Sequence, residues 1–409
     1  MSRRIAAIVF IYVCTAVAWI ILGSTIFYRT YGADSGLSER VASTWGTSQE
    51  QLPPSVGYQE EKTRVVKRDE GGEKNPHTEK YMVNVPVPID SSAISALFDL
   101  GYRQKGLLWF STYKVQFDGA YTFRNPSAEE KVFVLTLPFP AKQAVYDSVE
   151  LSLDGKPLPV TISDAGATSQ SRISGGKQAV LKASYHSRGL DRWSYKLGEG
   201  VAQVRDFHLR MVTNFGGFDF PDNTLSPTEK RAHGAGWELL WDYQNLVTGF
   251  DIALKMPQRL QPGPLAGRIS YFAPVSLFFF FFLVFILVTI RGIDLHPMNY
   301  FFLACAFFAF HLLLAYLVDH ISVHAAFAIC SGVSIFLVVS YLRLVVNLRF
   351  AAVEAALAQL IYLVLFSYAF FFEGMTGLMV TIGAIVTLFV IMQITGKIRW
   401  AEKFASPLR

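Results

Sequence analysis

The chain of 409 residues is 52% hydrophobic and 17% charged, and its mean hydropathy is +0.31. This composition is too apolar for a soluble globular protein and predicts a membrane protein. Residues 28–268 hold 28 of the 37 basic and 27 of the 32 acidic residues, so this near-neutral segment offers no basic face for nucleic acid. The cysteines, Cys14, Cys305 and Cys330, lie in apolar runs and predict neither a disulfide framework nor a thiolate metal site.

Six apolar stretches are long enough to cross the bilayer as helices, which takes about 20 residues each. The first has a basic start and a small-x-small site at Ala16–Ala18, as a signal peptide has. Its apolar run continues to Phe27, longer than a signal sequence needs, so we predict an uncleaved anchor over residues 1–28. The six spans are Ile5–Phe27, Ile269–Ile290, Met298–Val318, His324–Leu342, Phe350–Phe372 and Thr376–Thr395, the last five forming a helix bundle over residues 269–396.

The basic residues that flank these spans predict the orientation, because translocation selects against Lys and Arg in short loops. With both termini in the cytoplasm, every basic residue of the two chain ends and of the short loops between spans is cytoplasmic, including the basic tail at residues 397–409. Residues 28–268 are then extracytoplasmic. The basic residues concerned are Arg3, Arg4, Arg291, Arg343, Arg349, Lys397, Arg399, Lys403 and Arg409.

Residues 29–80 are predicted to be a helical extension followed by a polar linker. Ala33–Trp45 continues the first helix as an amphipathic stretch. Gln51–Glu79 contains a Pro53-Pro54 break and the charged run Glu60–Glu73, a composition typical of a linker or mobile loop.

Residues 81–265 have the pattern of a β-rich domain. Short alternating or apolar runs of strand length are separated by turn signals, and seven or eight such strands favour a β-sandwich. Asp154-Gly155, after Glu150–Leu153 and before Pro159–Ile162, predicts a type I′ hairpin turn, because both positions need positive φ angles. The predicted strands are 113–117, 131–137, 148–153, 179–184, 204–213, 237–243 and 247–256.

Two groups of residues in this domain invite a functional interpretation. The histidines His186, His208 and His233 lie far apart in sequence without metal-ligand spacing, so no metal is predicted. A glycine-aromatic loop is a candidate docking surface, because aromatic rings supply contact area and glycines allow close backbone approach. The alternative is a tightly packed inter-strand loop. The candidate docking residues are Phe215, Gly216, Gly217 and Phe218.

Ionisable residues in or beside the spans are the other candidates. His296 precedes Pro297 at a predicted helix start. Asp319, His320 and His324, with His311 nearby, would suit a proton-sensing or metal site, but we interpret them as a structural polar turn in which Asp319 and His320 are partners.

Three further polar residues lie within the spans. Glu354 is predicted to reach cytoplasmic water or to pair with Arg349 or Arg343, and Gln359 and Gln393 are predicted to form interhelical hydrogen bonds. These groups cluster at the ends of the spans rather than at successive depths, which argues against an ion path.

Several motifs resemble the CreD-like family of bacterial inner-membrane proteins. Trp45-Gly46-Thr-Ser-Gln49 resembles the family's Trp-Gly-x-x-Gln signature after the first span. Near the C-terminus, residues 294–300, 318–321 and 397–400 resemble its cytoplasmic turn, its Ser-Glu-His-Ile turn and its basic-aromatic ending. Asp319 stands where the family has Glu, and Pro53-Pro54 where it has Gly-Pro, so the chain resembles a divergent, short member.

The resemblance implies a multi-pass protein of the inner membrane that acts in envelope integrity and stress response, with no established enzymatic activity. Our first hypothesis is a non-enzyme without cofactor, whose outer β-domain binds an envelope protein or cell-wall partner beside the lipid bilayer. The alternative is a small-molecule or ion transporter that uses His311, Glu354, Gln359 and Gln393. An intramembrane metalloenzyme would need a motif such as His-Glu-x-x-His, which the sequence lacks.

Overall fold

The computed structural model describes residues 2–70, 73–106, 108–164, 166–198, 200, 202–372 and 374–396. The chain divides into two compact units. Residues 1–37, 104–108 and 260–409 form what we call the membrane unit, and residues 38–103 and 109–259 form the β-unit. The predicted basic tail, residues 397–409, lies outside the described residues.

Within the described residues, six helices are long and apolar enough to cross a membrane, which confirms the predicted spans. The first helix runs without a break to Trp45, so the predicted helical extension is also confirmed. The helices are α1 Ser2–Trp45, α2 Pro262–Arg291, α3 Pro297–Leu317, α4 Val323–Val345, α5 Phe350–Phe371 and α6 Thr376–Thr395.

Local sequence explains several helix ends. Proline occupies the first positions of both α2 and α3, where its missing N–H costs nothing. The His296 side chain accepts a hydrogen bond from the Met298 N–H and caps α3, while Gly292 ends α2 in the left-handed conformation. Ser322 caps α4 in the same way as His296 caps α3.

Helix α5 is irregular. Phe350–Ala355 and Leu360–Leu365 are π-helical, with α-helical turns at Ala356–Gln359 and Phe366–Tyr368 and a 3₁₀ turn at Ala369–Phe371. The Ser276 hydroxyl of α2 donates a hydrogen bond to the Tyr362 carbonyl within the second π-helical segment. A polar side chain from a neighbouring helix thus bonds to the backbone of an irregular helix in an apolar environment.

The described residues of the β-unit contain sixteen strands, about twice the number predicted. They are β1 Gln49–Gln51, β2 Ser55–Glu70, β3 Glu73–Pro86, β4 Ile89–Lys105, β5 Leu108–Arg124, β6 Lys131–Pro138, β7 Tyr146–Leu153, β8 Lys156–Pro157, β9 Thr161–Ser163, β10 Gly166–Ile173, β11 Gln178–Leu190, β12 Arg192–Tyr195, β13 Ala202–Thr213, β14 Glu229–His233, β15 Gly236–Thr248 and β16 Ile252–Lys255.

These strands form three sheets that share one core. The orders are β1-β12-β16, β3-β2-β6-β10-β9 and β14-β15-β13-β4-β5-β11-β7-β8. The core lies between the sheets because alternate residues point to the same face, as Val115, Phe117 and Tyr121 of β5 do. Buried residues of all three sheets meet there, so the prediction of a helical membrane part with a large β-rich domain is confirmed.

The predicted linker Gln51–Glu79 is instead part of the sheet. β2 and β3 pair antiparallel in one unbroken register from Gly57 opposite Pro86 to Glu70 opposite Glu73. The sequence reasoning failed here because backbone pairing satisfies the hydrogen-bonding groups of both strands even where side chains are charged. The base of this ribbon also buries Val56 and Tyr58 against the core.

The predicted turn at Asp154-Gly155 is confirmed, but the strand that follows it is β8, Lys156–Pro157, rather than the predicted Pro159–Ile162, whose last two residues belong to β9 and pair with β10 instead. Asp154 and Gly155 have φ angles of 51° and 78°, and they connect β7 to β8. The Asp154 carboxylate accepts a hydrogen bond of 2.9 Å from the Val180 N–H, which lowers its pKa. An ion pair of 3.1 Å with Lys177 acts in the same direction. The turn is thereby tied to the neighbouring strand β11.

Candidate functional site

The open face of the eight-stranded sheet carries a groove of about 1510 Å³. It crosses the strands from β15 through β13, β4, β5 and β11 to β7. Six strands at about 4.8 Å spacing make it roughly 24 Å long. This length would accommodate an extended chain rather than only a compact small molecule.

Residues of the groove alternate with core residues along the strands. Ala96 of β4 and Leu181 of β11 point into the core and are buried. Their neighbours Ser95 and Lys182 line the groove. The face opposite the aromatic core is therefore free for recognition.

Small side chains form the middle of the groove. Ala93 and Ser95 of β4 lie beside His208 and Arg210 of β13 in the sheet register. On the other side, Ala120 and Ser184 of adjacent strands, with Ser152 of β7, have similarly short side chains. Short side chains leave space directly above the sheet, whereas large ones would fill it.

The basic side chains at the β13 end already have acidic partners. The Arg210 Nε donates to a Glu238 carboxylate oxygen at 2.6 Å, and this hydrogen bond lowers the pKa of Glu238. The His208 ring nitrogens lie 3.1 Å from Asp206 and 3.2 Å from Asp242. These contacts leave little free positive charge for a ligand at this end.

Carboxylates elsewhere in the groove are less compensated. Asp118 and Glu150 both line it and are exposed, and neither has an ion-pair partner within 4.0 Å among the described residues. Lys182 is the basic lining residue nearest to them in the sheet register, where it pairs with Ala120 and Ser152. The groove therefore has an acidic surplus, which attracts cationic groups.

The Trp45-Gly46-x-x-Gln49 motif packs against Arg188 of β11 and does not line the groove. The Trp45 ring lies 3.7 Å from the Arg103 guanidinium carbon and 4.9 Å from that of Arg188. The Gln49 side-chain amide donates to the Arg188 carbonyl at 2.9 Å. Gly46 has a φ of +121°, and a Cβ there would lie 2.4 Å from the same carbonyl oxygen, so this position needs glycine.

The predicted polar turn is located in the membrane unit. Asp319 forms a 2.9 Å ion pair with Arg29 of α1, so the predicted pairing with His320 is wrong. His320 is exposed, and the ring of His324 lies 5.1 Å from that of Phe371. The partner of Asp319 was missed because the charge of Arg29 lies 290 residues away in sequence.

Glu354 and Gln359, two polar residues of α5, have defined partners in this unit. Glu354 pairs with Arg291, not with Arg349 or Arg343. Gln359 donates a hydrogen bond of 2.7 Å to the Ser334 hydroxyl, which confirms its predicted interhelical bond.

The glycine-aromatic loop packs partly against the β-unit core. Phe215 is 8% exposed, and Phe218 is half-buried with its ring 6.2 Å from that of Phe215. The Lys230 ammonium lies 4.8 Å from the Phe218 ring centre. Gly216 and Gly217 are exposed. The docking role of this loop stays a prediction.

Within the described ranges, no group of three or more His, Cys, Asp or Glu side chains is arranged to hold a metal ion.

The groove itself was not predicted from the sequence. Its signal is the run of short side chains at alternate positions, as at Ala93 and Ser95, but that signal becomes a site only when the order of the strands is known.

The fold and site define a class: a multi-pass membrane protein with a large β-rich domain that carries an open groove. Residues 243–401 match the family described as inner membrane protein CreD, which confirms the resemblance over α2 to α6. This match begins within β15, so most of the β-unit lies outside it. No curated protein matches the sequence.

Two solved structures are distantly similar. One is a Legionella pneumophila protein described as nutrient binding, 11% identical, with a TM-score of 0.35, covering 57% of this chain and 76% of that one. The other is an M1 zinc metallopeptidase from Deinococcus radiodurans, 9% identical, with a TM-score of 0.26, covering 41% of this chain and 42% of that one. Neither defines the chemistry of this chain.

Proposed function

We propose that this protein acts in envelope integrity and stress response at the bacterial inner membrane, by binding rather than by catalysis. The β-unit is the recognition domain and the membrane unit is its anchor. The occupant of the groove is an extended, positively charged segment of an envelope protein. The observation that carries this proposal is the open groove of about 1510 Å³ with its acidic surplus.

The shape and charge of the groove support this class of partner. An extended polypeptide rises about 3.3 Å per residue, so roughly seven residues would span the groove. Lys or Arg side chains of such a segment would reach Asp118 and Glu150, which have no ion-pair partner in the described part of the chain. Charge complementarity of this kind speeds encounter and selects among partners.

The proposed orientation places both termini in the cytoplasm and residues 28–268 outside. Besides the positive-inside rule, the ion pairs of the membrane unit support it. Arg4 of α1 pairs with Asp294 between α2 and α3, whereas Arg29, at the other end of the first span, pairs with Asp319. Each pair joins segments that this orientation assigns to the same side of the membrane.

Site-specific photocrosslinking in cells tests the groove. We expect a crosslinkable amino acid at Ala120 or Ser184 to capture a polypeptide through a basic segment, identified by mass spectrometry. The matched control is Gln170, an exposed position on the five-stranded sheet. Capture that is equal at Gln170 would overturn the groove as the binding site, and capture of cell-wall fragments would overturn the peptide assignment.

Charge reversal tests the proposed electrostatics. The double variant Asp118→Lys, Glu150→Lys should abolish the crosslinks, because the groove would then repel a cation. The control Asp147→Lys, Asp164→Lys changes the net charge equally at exposed acidic residues that do not line the groove. If both double variants retain or lose crosslinking alike, charge complementarity is not the basis of binding.

Reporter fusions test the orientation. Alkaline phosphatase is active only outside the cytoplasm, so a fusion at Gly155 should be active and fusions at Pro297 and Phe350 inactive. The reverse pattern would place the β-unit in the cytoplasm and remove the envelope role.

A further inference from the structure

The interior of the membrane unit contains a row of buried polar side chains. Near one end, Glu354 pairs with Arg291. Deeper in the unit, Gln359 donates to the Ser334 hydroxyl at 2.7 Å, and Ser334 donates to the Ala306 carbonyl at 2.6 Å. These groups come from α2, α3, α4 and α5, so they line the space between helices rather than a lipid-facing surface.

His311 continues this row toward the other end. It lies five residues after Ala306 on α3, which is roughly 7 Å along a helix. Its Nδ1 lies 3.0 Å from the Phe307 carbonyl, and because a carbonyl can only accept, Nδ1 carries the hydrogen. In the neutral ring the Nε2 lone pair is then an acceptor.

Several atoms of this row are buried without a hydrogen-bond partner among the described residues. They include Nε2 of His311, Oε1 of Gln359 and Oε2 of Glu354, all of which can accept. Trp19, whose ring meets that of His311 edge-on at 5.6 Å, has an indole N–H that is likewise without a partner. An unsatisfied polar group in hydrocarbon is costly and marks a functional position when no packing role accounts for it.

We propose that the membrane unit passes protons through this row, with water bridging the side chains. From the side of the Arg29–Asp319 pair, a proton binds the Nε2 lone pair of His311 and leaves from the same nitrogen to the next water. Gln359 and Ser334 orient the water between, and Glu354 takes the proton on Oε2 and releases it at the Arg291 end. Each group returns to its starting state, and no electron is transferred.

The surroundings favour a proton over a metal cation. Arg291 is the charged group that contacts Glu354, and its positive charge would repel a second cation held there. The His311 ring packs against Trp19 and Phe310 and bonds to the Phe307 carbonyl, and none of these residues is charged. The π-helical segments of α5 lie on either side of Gln359, and such segments are frequent at functional sites.

The test is proton flux into phosphatidylcholine–phosphatidylglycerol liposomes that contain the full chain and a trapped pH-sensitive dye. A potassium diffusion potential set by valinomycin drives the flux. We expect the protein to raise the rate above that of protein-free liposomes. A rate equal to that of protein-free liposomes would overturn the proposal.

Two variants test whether protons move through His311 and Glu354. His311→Phe keeps a ring against Trp19 and Phe310 but removes both nitrogens, and Glu354→Gln keeps a hydrogen-bonding partner for Arg291 but cannot carry a proton. Each should lower the flux by about tenfold or more, because a gap in a polar row within hydrocarbon is a barrier to charge.

The controls change a histidine and a glutamine outside the row. His324→Phe and Gln393→Leu alter exposed residues, and both should retain the wild-type flux. Size-exclusion chromatography and circular dichroism establish that each variant is folded. If His311→Phe does not fold, Glu354→Gln decides. Wild-type flux in a folded row variant, or equal loss in the controls, would overturn the assignment. This test is independent of the proposed groove.

Discussion

The β-unit and the membrane unit treat buried polar side chains differently. In the β-unit, a buried amide can join segments that are far apart in the chain, as Asn125 does by donating to the Ile173 carbonyl at 2.9 Å. In the membrane unit, most hydroxyls bond to their own helix four residues back, as Ser331 does to Phe327 at 2.7 Å. A helix already satisfies its own backbone, whereas turns between strands leave carbonyls that side chains must bind.

This difference indicates how far the effect of removing a polar side chain should extend in each unit. Loss of a cross-strand amide should disturb the tertiary structure, whereas loss of a helical hydroxyl should have only a local effect. The exceptions in the membrane unit are the hydrogen bonds between helices, among them that of Gln359, and they coincide with the proposed proton row.

The largest expected effect comes from truncating a buried aromatic residue in each unit. Phe133 and Phe307 are both 0% exposed. Phe133→Ala should cost about 3–5 kcal/mol in the β-unit, because unfolding transfers the ring to water. Phe307→Ala should cost roughly half that or less, since lipid is as apolar as the bundle interior and mainly packing contacts are lost.

Denaturant titration followed by hydrogen exchange in peptides from each unit measures both values in the full chain. The control is Phe389→Ala, which removes a ring that is 62% exposed on α6. Equal costs for Phe133 and Phe307 would show that the two interiors are energetically alike and break the comparison.

A second pair of variants compares buried polar groups directly. Asn125→Ala should destabilise the β-unit by roughly 2 kcal/mol, because three carbonyls, one of them buried and two part-buried, lose their side-chain donor. Ser331→Ala should change stability by less than about 0.5 kcal/mol, since the Phe327 carbonyl keeps its helical environment. Thermal unfolding of the full chain, followed by near-ultraviolet circular dichroism, tests this; a larger loss in Ser331→Ala would contradict it.

The third prediction compares one ion pair from each unit. Arg29–Asp319 of the membrane unit and Lys196–Glu50 of the β-unit have distances of 2.9 and 2.7 Å and are partly exposed. We expect double-mutant cycles to give coupling energies of about 1 kcal/mol for the first pair and about 0.5 kcal/mol for the second, because water screens the second more. Asp319→Asn alone should lower stability or abundance modestly. A larger coupling energy for Lys196–Glu50 than for Arg29–Asp319 would show that water does not screen the β-unit pair more strongly, which would contradict this prediction.

The smallest effect concerns acid stability. The pKa of Asp154 is lowered in the folded β-unit, first by the Val180 N–H and then by Lys177. A carboxylate with a lowered folded pKa stabilises above its unfolded pKa of about 3.9 and loses that contribution as the pH falls through the folded pKa. Asp154→Asn should therefore lower the Tm at pH 7 by a small amount.

The difference in Tm between the two proteins should shrink below about pH 4. Asp147→Asn, at an exposed site on β7, is the control. A difference that grows on acidification would show that the hydrogen bond to Val180 does not favour the charged carboxylate.

Local patterns were enough for some features and not for others. The Asp154-Gly155 turn was predicted because its conformation depends on the two residues themselves. The polar ribbon β2–β3 was predicted as a linker because composition measures side-chain burial and not backbone pairing. The ion pair of Glu354 with Arg291 could not be chosen over pairs with Arg343 or Arg349, since all three arginines flank the spans on one predicted side.

The sequence by itself determined the six spans, the presence of a β-rich region between the first two of them and the CreD resemblance, because bilayer thickness and strand alternation constrain residues that are near one another in the chain. Only the tertiary structure decided which strands lie side by side, and therefore that Ala93, Ala120 and Ser184 share one groove. It also decided that His311 and Gln359 are fully buried. Both depend on contacts between distant segments, where many pairings satisfy the same local pattern and packing selects one.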